Sequence, residues 1–161
     1  MHEPKELFPL LAEIEDREIM KITTEVWIEV QKQRSDLDVK EIPFTLLIPT
    51  RKTLIEHTNT VTRMAYEIGK GRSDLNLNLV IAGGLLHDVG KVLTYKKDTE
   101  KTLRHPLVGA ALLSRYDNLD LVHIVFTHSH EGDHLIRSKE SIVVHHCDFI
   151  DFEIEKLRSS Q

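Results

Sequence analysis

The run Gly83-Gly84-Leu85-Leu86-His87-Asp88-Val89-Gly90-Lys91 carries an imidazole, a carboxylate and an ammonium at the end of an otherwise apolar stretch. Each of these groups costs free energy to desolvate unless it is paired. A carboxylate near a helix C-terminus is opposed by the helix dipole as well. A cation ligated by His87 and Asp88 answers both objections. Further imidazole and carboxylate donors stand at His57, His105, His128, His130 and Asp148. Nitrogen and oxygen donors of this kind suit one or two divalent transition-metal ions, iron or manganese first, with zinc, nickel or cobalt as alternatives. Ten histidines against a single cysteine rule out a thiolate cluster.

Donors so far apart in sequence need long elements to bring them together, and the pattern of apolar residues supplies helices. Leu7, Leu10, Leu11 and Ile14 predict a short helix after Pro4. Ile19, Ile22, Val26 and Val30 predict a second, with Asp16 as its cap. Pro49-Thr50 reads as the start of a long helix ending at Gly69-Lys70-Gly71. Within it Leu54, His57, Val61, Met64 and Ile68 fall on one stripe, which points His57 at the core. A helix over about 78–89 follows, stopped by Gly90, with Gly83-Gly84 allowing a close neighbour. Further helices are expected over 106–116, with His105 at the entrance and Pro106 in the first turn, over 119–127, and over 139–158 around Asp148. β-branched alternation is hard to find. The expected architecture is all-α: an N-terminal helical extension over residues 1–48 packed on a core unit over 49–158.

Composition narrows the function. With 161 residues, 40% of them hydrophobic, the chain can bury one substantial core. A net charge of −5 without a dense basic block argues against a surface that binds nucleic acid by phosphate neutralisation. A small anionic substrate stays compatible, because a bound cation reverses the local sign of a pocket. Neither a signal-peptide order at the N-terminus nor an 18-residue apolar run is read from the sequence, so a cytoplasmic location and no membrane partner are the expectation. The N-terminal helices, with Trp27 among Ile22, Val26 and Val30, would close one domain or form a homodimer contact.

The order His57, then His87-Asp88 thirty residues later, then Asp148 sixty residues beyond Asp88, resembles the HD-domain metal-dependent phosphohydrolases, whose ordered His, His-Asp and Asp ligands lie across an all-α bundle. Glu56-His57 with Val61 and Ala65 is similar to the family's first motif helix. His87-Asp88-Val89-Gly90-Lys91 is similar to its His-Asp-Ile-Gly-Lys form, and Cys147-Asp148-Phe149-Ile150 to its final motif. The resemblance covers about residues 50–152. His105-Pro106 and Thr127-His128-Ser129-His130-Glu131 are similar to the two extra histidines of a dinuclear subset, which includes cyclic-dinucleotide phosphodiesterases and enzymes that cleave diadenosine tetraphosphate. The Gly-Tyr-Pro signature of the cyclic-dinucleotide enzymes is missing, and Ser129 separates two histidines that are adjacent there. His128 continues the stripe of Leu121, Ile124 and Val125, which leans towards His128 while leaving His130 open.

The resemblance implies hydrolysis of a phosphate ester or anhydride of a small, nucleotide-like substrate by metal-activated water. Asp88 would bridge two ions, and Lys91, which otherwise simply complements the helix end, would stabilise charge on the phosphoryl oxygens. Glu56, Glu131 and Asp151 are candidate partners for the outward nitrogens of the ligating histidines. Lys96, Lys97, Lys101 and Arg104 would form either a solvated loop or a lid over the phosphate. His145 and His146 read as packing or supporting residues, His123 and His134 as surface, and Cys147 as a small buried apolar group. A di-iron oxygenase on the same fold and a non-catalytic nucleotide- or metal-sensing module are the competing readings.

Overall fold

The helix that carries His57 starts at a capping box rather than at a proline. In the computed structural model, which describes residues 1–97 and 103–160, Thr53 caps the helix Leu54–Lys70. Its hydroxyl accepts from Glu56 N at 3.2 Å, and the Glu56 carboxylate accepts from Thr53 N at 2.8 Å. The helix thus begins four residues later than Pro49-Thr50 suggests. The segment before it pairs locally instead: Pro43 and Thr53 form an antiparallel bridge, with Phe44 N donating to Lys52 O and Leu54 N to Ile42 O.

The fold is all-α. Eight α-helices are described: α1 Pro4–Leu7, α2 Arg17–Gln33, α3 Leu54–Lys70, α4 Leu77–Leu86, α5 Val89–Thr94, α6 His105–Leu113, α7 Leu119–Thr127 and α8 Lys139–Ser159. Two 3-10 turns, Pro9–Glu13 and His130–Gly132, complete the described elements. Asp16 caps α2 as expected, accepting from Glu18 N and Ile19 N. α4 is apolar on all sides, and α2, α3, α7 and α8 pack around it. Together α4 and α5 form the one described stretch, 77–94, apolar and long enough to cross a membrane, and 78% of it is buried inside the bundle. It is therefore a core element here, although the sequence reading found no run of that length.

The N-terminal helices share this core. Trp27 is fully buried, packs against Phe8 in a tilted pair with ring centroids 4.6 Å apart and donates its indole N–H to Leu85 O at 3.0 Å. Buried Arg34 donates to Val92 O and Tyr95 O, and so satisfies carbonyls at the end of α5.

The expected helix over 78–89 divides at the motif. α4 ends at Leu86, His87 and Asp88 form the joint, and Val89 opens α5. Gly90 therefore stops nothing; it lies in the first turn of α5. Its role is close approach: a Cβ there would collide with the His105 carbonyl oxygen and come within 2.8 Å of Gly109 N. Gly84 does the same against α3, where a Cβ would lie 3.0 Å from Thr62 Cα. Gly90→Ala should push α6 away from α5, destabilise the fold by roughly 1–3 kcal/mol and move His105 with it. Urea unfolding of the metal-free variant checks the first effect, and its metal content checks the second.

Candidate metal centre

Four helices and one joint deliver the donors. His57 lies in the first turn of α3, His87 and Asp88 at the α4–α5 joint, His105 at the start of α6, His128 at the C-cap of α7 and Asp148 in α8. The Asp88 carboxylate, 1% exposed, stands at the centre. Its Oδ2 lies 3.3 Å from His87 Nε2 and 3.5 Å from His57 Nε2. Its Oδ1 lies 3.0 Å from His105 Nε2 and 3.5 Å from His128 Nε2. Asp148 Oδ1 closes the first group at 3.0 Å from His57 Nε2 and 4.0 Å from His87 Nε2. One carboxylate thus faces two half-sites: His57, His87 and Asp148 on one side, His105 and His128 on the other.

Ring orientation decides what those half-sites accept. His87 Nδ1 donates to Gly84 O and His128 Nδ1 to Val125 O, both at 2.7 Å. A carbonyl only accepts, so both Nδ1 atoms carry the hydrogen, and the neutral rings present Nε2 lone pairs to Asp88. His57 Nδ1 faces the Asp151 carboxylate at 2.6 Å, which sets the same tautomer. The Nε2 atoms of His57 and His87 are then 3.3 Å apart, and those of His105 and His128 3.2 Å apart. Lone pairs and carboxylate oxygens packed this closely repel one another unless a cation lies between them. Asp88 Oδ1 makes the same point: it is buried, and among the described residues no aligned hydrogen bond satisfies it. The donor set fits divalent transition-metal ions, and each half-site would hold one.

The electrostatics agree. Burial raises the Asp88 carboxyl, but the Lys91 ammonium and His87 hold it well below the usual carboxylate range. Asp148 is held at about 2: burial raises it, and the neighbouring His57, whose Nε2 lies 3.0 Å from Oδ1, together with His87 more than offsets that. Burial pushes His105 down to about 4, which keeps its ring neutral at pH 7. For His57 burial is outweighed by the two carboxylates, so its pKa is raised and a proton competes with any metal at this ring.

The remaining candidates sort by position. Lys91 Nζ lies 2.6 Å from Asp88 Oδ2 and donates to Phe44 O at 2.7 Å. Of the pair left open by the sequence, His128 reaches Asp88 and His130 does not. His130 begins the 3-10 turn after α7, its side chain is 75% exposed, and its Nδ1 pairs with Asp133 at 2.9 Å. Asp151 is the partner of His57, whereas Glu56 is used in the capping box and Glu131 pairs with Arg104 at 3.0 Å. His145 supports the site indirectly, with Nδ1 donating to His128 O at 2.6 Å. Cys147 is buried in a small cluster with Val61, Ala65 and Val80. Lys101 lies outside the described residues.

A cavity of about 330 Å³ opens onto the cluster at Asp148, His105 and Lys91. Phe44, Phe149, Phe152 and Tyr95 supply aromatic lining, and Arg104 stands at its rim. Sequence reasoning missed Phe44 and the segment around it, because their place depends on the pairing of residues 42–44 with 52–54, which no periodicity announces.

Residues 54–152, well over half of the chain, match the protein family described as HD domain. The chain is 32% identical over 118 residues to a dihydroneopterin 2',3'-cyclic phosphate phosphodiesterase of Methanocaldococcus jannaschii, a match covering 63% of this chain and 47% of that protein. It is 32% identical over 97 residues to ribonuclease Y of Fusobacterium nucleatum, covering 60% of this chain and 17% of that one. A tRNA (cytidine(56)-2'-O)-methyltransferase of Thermoplasma volcanium shares 35% identity over 91 residues, covering 55% and 24% respectively. The chain spans less than half the length of each of these curated relatives. No solved structure matches it at a significant level.

The shared carboxylate gives a distinct pattern of metal loss. Asp88→Ala should remove both ions, His128→Ala one, and His130→Ala none, as counted by metal analysis of dialysed, folded protein.

Proposed function

This chain belongs to the HD domain family, and from that premise we propose that it is a metal-dependent phosphohydrolase cleaving a phosphate ester or anhydride of a small, nucleotide-like substrate. The observation that carries this reading is the Asp88 carboxylate set between two histidine pairs, next to an aromatic-lined cavity that Asp148, His105 and Lys91 line. Iron or manganese is the proposed metal, and zinc, nickel or cobalt also suits a donor set made only of imidazoles and carboxylates. When bound, such an ion supplies Lewis acidity and brings the pKa of water towards neutrality.

The chain's own residues divide the remaining work. Lys91, at the cavity floor and already anchored by Asp88 and Phe44 O, can contact a phosphoryl oxygen and stabilise charge that develops there. Arg104 at the rim adds a second positive group in reach of an anion, held by Glu131. Phe149 and Phe152 offer apolar faces on which a planar ring can stack. Asp151, Gly84 O and Val125 O fix the tautomers of His57, His87 and His128, so that their Nε2 atoms remain donors to metal.

Two relatives bear names that denote phosphodiester cleavage, one of a cyclic phosphate on a small heterocyclic compound and one of RNA. The cavity size and the net charge of −5 favour the small cyclic phosphodiester over a polynucleotide.

The test is hydrolysis of bis(p-nitrophenyl) phosphate and of nucleoside 2',3'-cyclic phosphates by protein loaded with manganese or iron(II). Turnover should disappear on chelation. Lys91→Ala should lower kcat by about 10²–10³, the loss typical of one charge-stabilising donor. Phe152→Ala, which removes a stacking face, should mainly raise KM for the nucleotide and change kcat much less than Lys91→Ala does. Metal-loaded protein that releases no phosphate product, or that consumes oxygen instead, would overturn the assignment.

A further inference from the structure

The four clustered histidines are not oriented in the same way. His87 and His128 donate to carbonyls three residues earlier in their own helices, so backbone geometry alone fixes those rings. His57 depends on a side chain from another helix, the Asp151 carboxylate of α8. A carboxylate has torsional freedom that a helix carbonyl lacks, and something must hold it. Lys52 does so: its Nζ lies 2.5 and 2.6 Å from the two Asp151 oxygens, with the lysine side chain 17% and the aspartate side chain 9% exposed. A largely buried, charge-assisted pair of this geometry fixes a carboxylate in position.

Lys52 is itself fixed by the backbone. Phe44 N donates to its carbonyl, and Leu54 N donates to Ile42 O, so residues 42–44 and 52–54 form a short antiparallel strap. The same strap lays the Phe44 ring on His57 at 4.7 Å and offers Phe44 O to Lys91, the residue bound to Asp88. Thr50, between its two arms, ties it to α8 by donating to Glu155 at 2.7 Å. The first half-site is therefore gripped from both sides by one segment, while no bond from the strap reaches His105 or His128 among the contacts described.

We propose that Lys52 is a positioning residue which, by chelating Asp151, aims His57 and so sets how firmly the half-site of His57, His87 and Asp148 holds its ion. The proposal rests on the metal-site reading above but not on any reaction, and its readout is binding alone. Removing Lys52 would leave a buried carboxylate with one partner, free to turn, and would loosen the tautomer lock on His57.

The experiment is cobalt(II) binding to the full chain, followed by visible absorption and by competition with a chelator. It is done in a His128→Ala background, where only the first half-site keeps its full set of side chains. Lys52→Met, which keeps the aliphatic stem and removes the charge, should weaken cobalt binding about tenfold or more and shift the absorption spectrum. Lys52→Arg should restore both to near the parent values. Asp151→Asn provides a second variant and should weaken the same ion. A purely structural tie between the strap and α8 would instead lower the melting temperature of the metal-free protein and leave cobalt affinity and spectrum unchanged. That result, for Lys52→Met and Asp151→Asn alike, would overturn the proposal. Absence of phosphohydrolysis would bear only on the functional assignment, since none of these readouts involves turnover.

Discussion

A single buried carboxylate organises this molecule. Asp88 has lost nearly all contact with water, yet keeps its negative charge among imidazole nitrogens on both sides and one ammonium. Its surroundings hold it ionised, and the His87 and His128 rings beside it present lone pairs rather than hydrogens. Such a group is strongly destabilising in a core unless positive charge completes it. Lys91 supplies part of that charge, and the geometry around both carboxylate oxygens calls for the rest to come from cations. A functional group whose ligands span four helices requires the fold to be settled before it can be assembled.

The bundle meets this demand by making its approaches very close at a few points. α4 presents no polar face and is surrounded, so that its C-terminal joint lies at the centre of the molecule. Gly84 lets α3 bring His57 to His87, and Gly90 lets the start of α6 bring His105 to Asp88. Trp27 and Arg34 lock the N-terminal helices to the far side of α4 and α5, on the carbonyls of Leu85, Val92 and Tyr95. The cavity opens where polar donors meet the aromatic residues of α8 and of the strap.

Much of this could be read from residue order. The 3.6-residue stripe of α3 turned His57 inward, Asp16 marked the start of α2, and Leu119 to Thr127 emerged with the observed bounds. Local signals failed where structure depends on distant partners. Thr53-x-x-Glu56 was a legible capping box, but Pro49 offered a competing start, and the pairing of 42–44 with 52–54 that excludes a helix there has no sequence period. Gly90 looked like a helix stop because its constraint comes from His105 and Gly109, residues of another helix. The apolar stripe favoured His128 only slightly over His130, because what separates them is tertiary: one caps α7 and bonds back to Val125 O, the other enters a turn facing solvent. Asp151 could be named as a supporting carboxylate but not ranked, since its distance to His57 is set by the packing of α3 on α8.

Anomalous diffraction at the absorption edge of the bound metal is the most direct test of the central claim, that Asp88 is shared between two ions. Crystals of protein loaded with manganese should show two peaks flanking the Asp88 carboxylate, one beside His57 and His87 and the other beside His105 and His128. A single peak with Asp88 bound on one oxygen only, or a peak at the exposed His130, would contradict it.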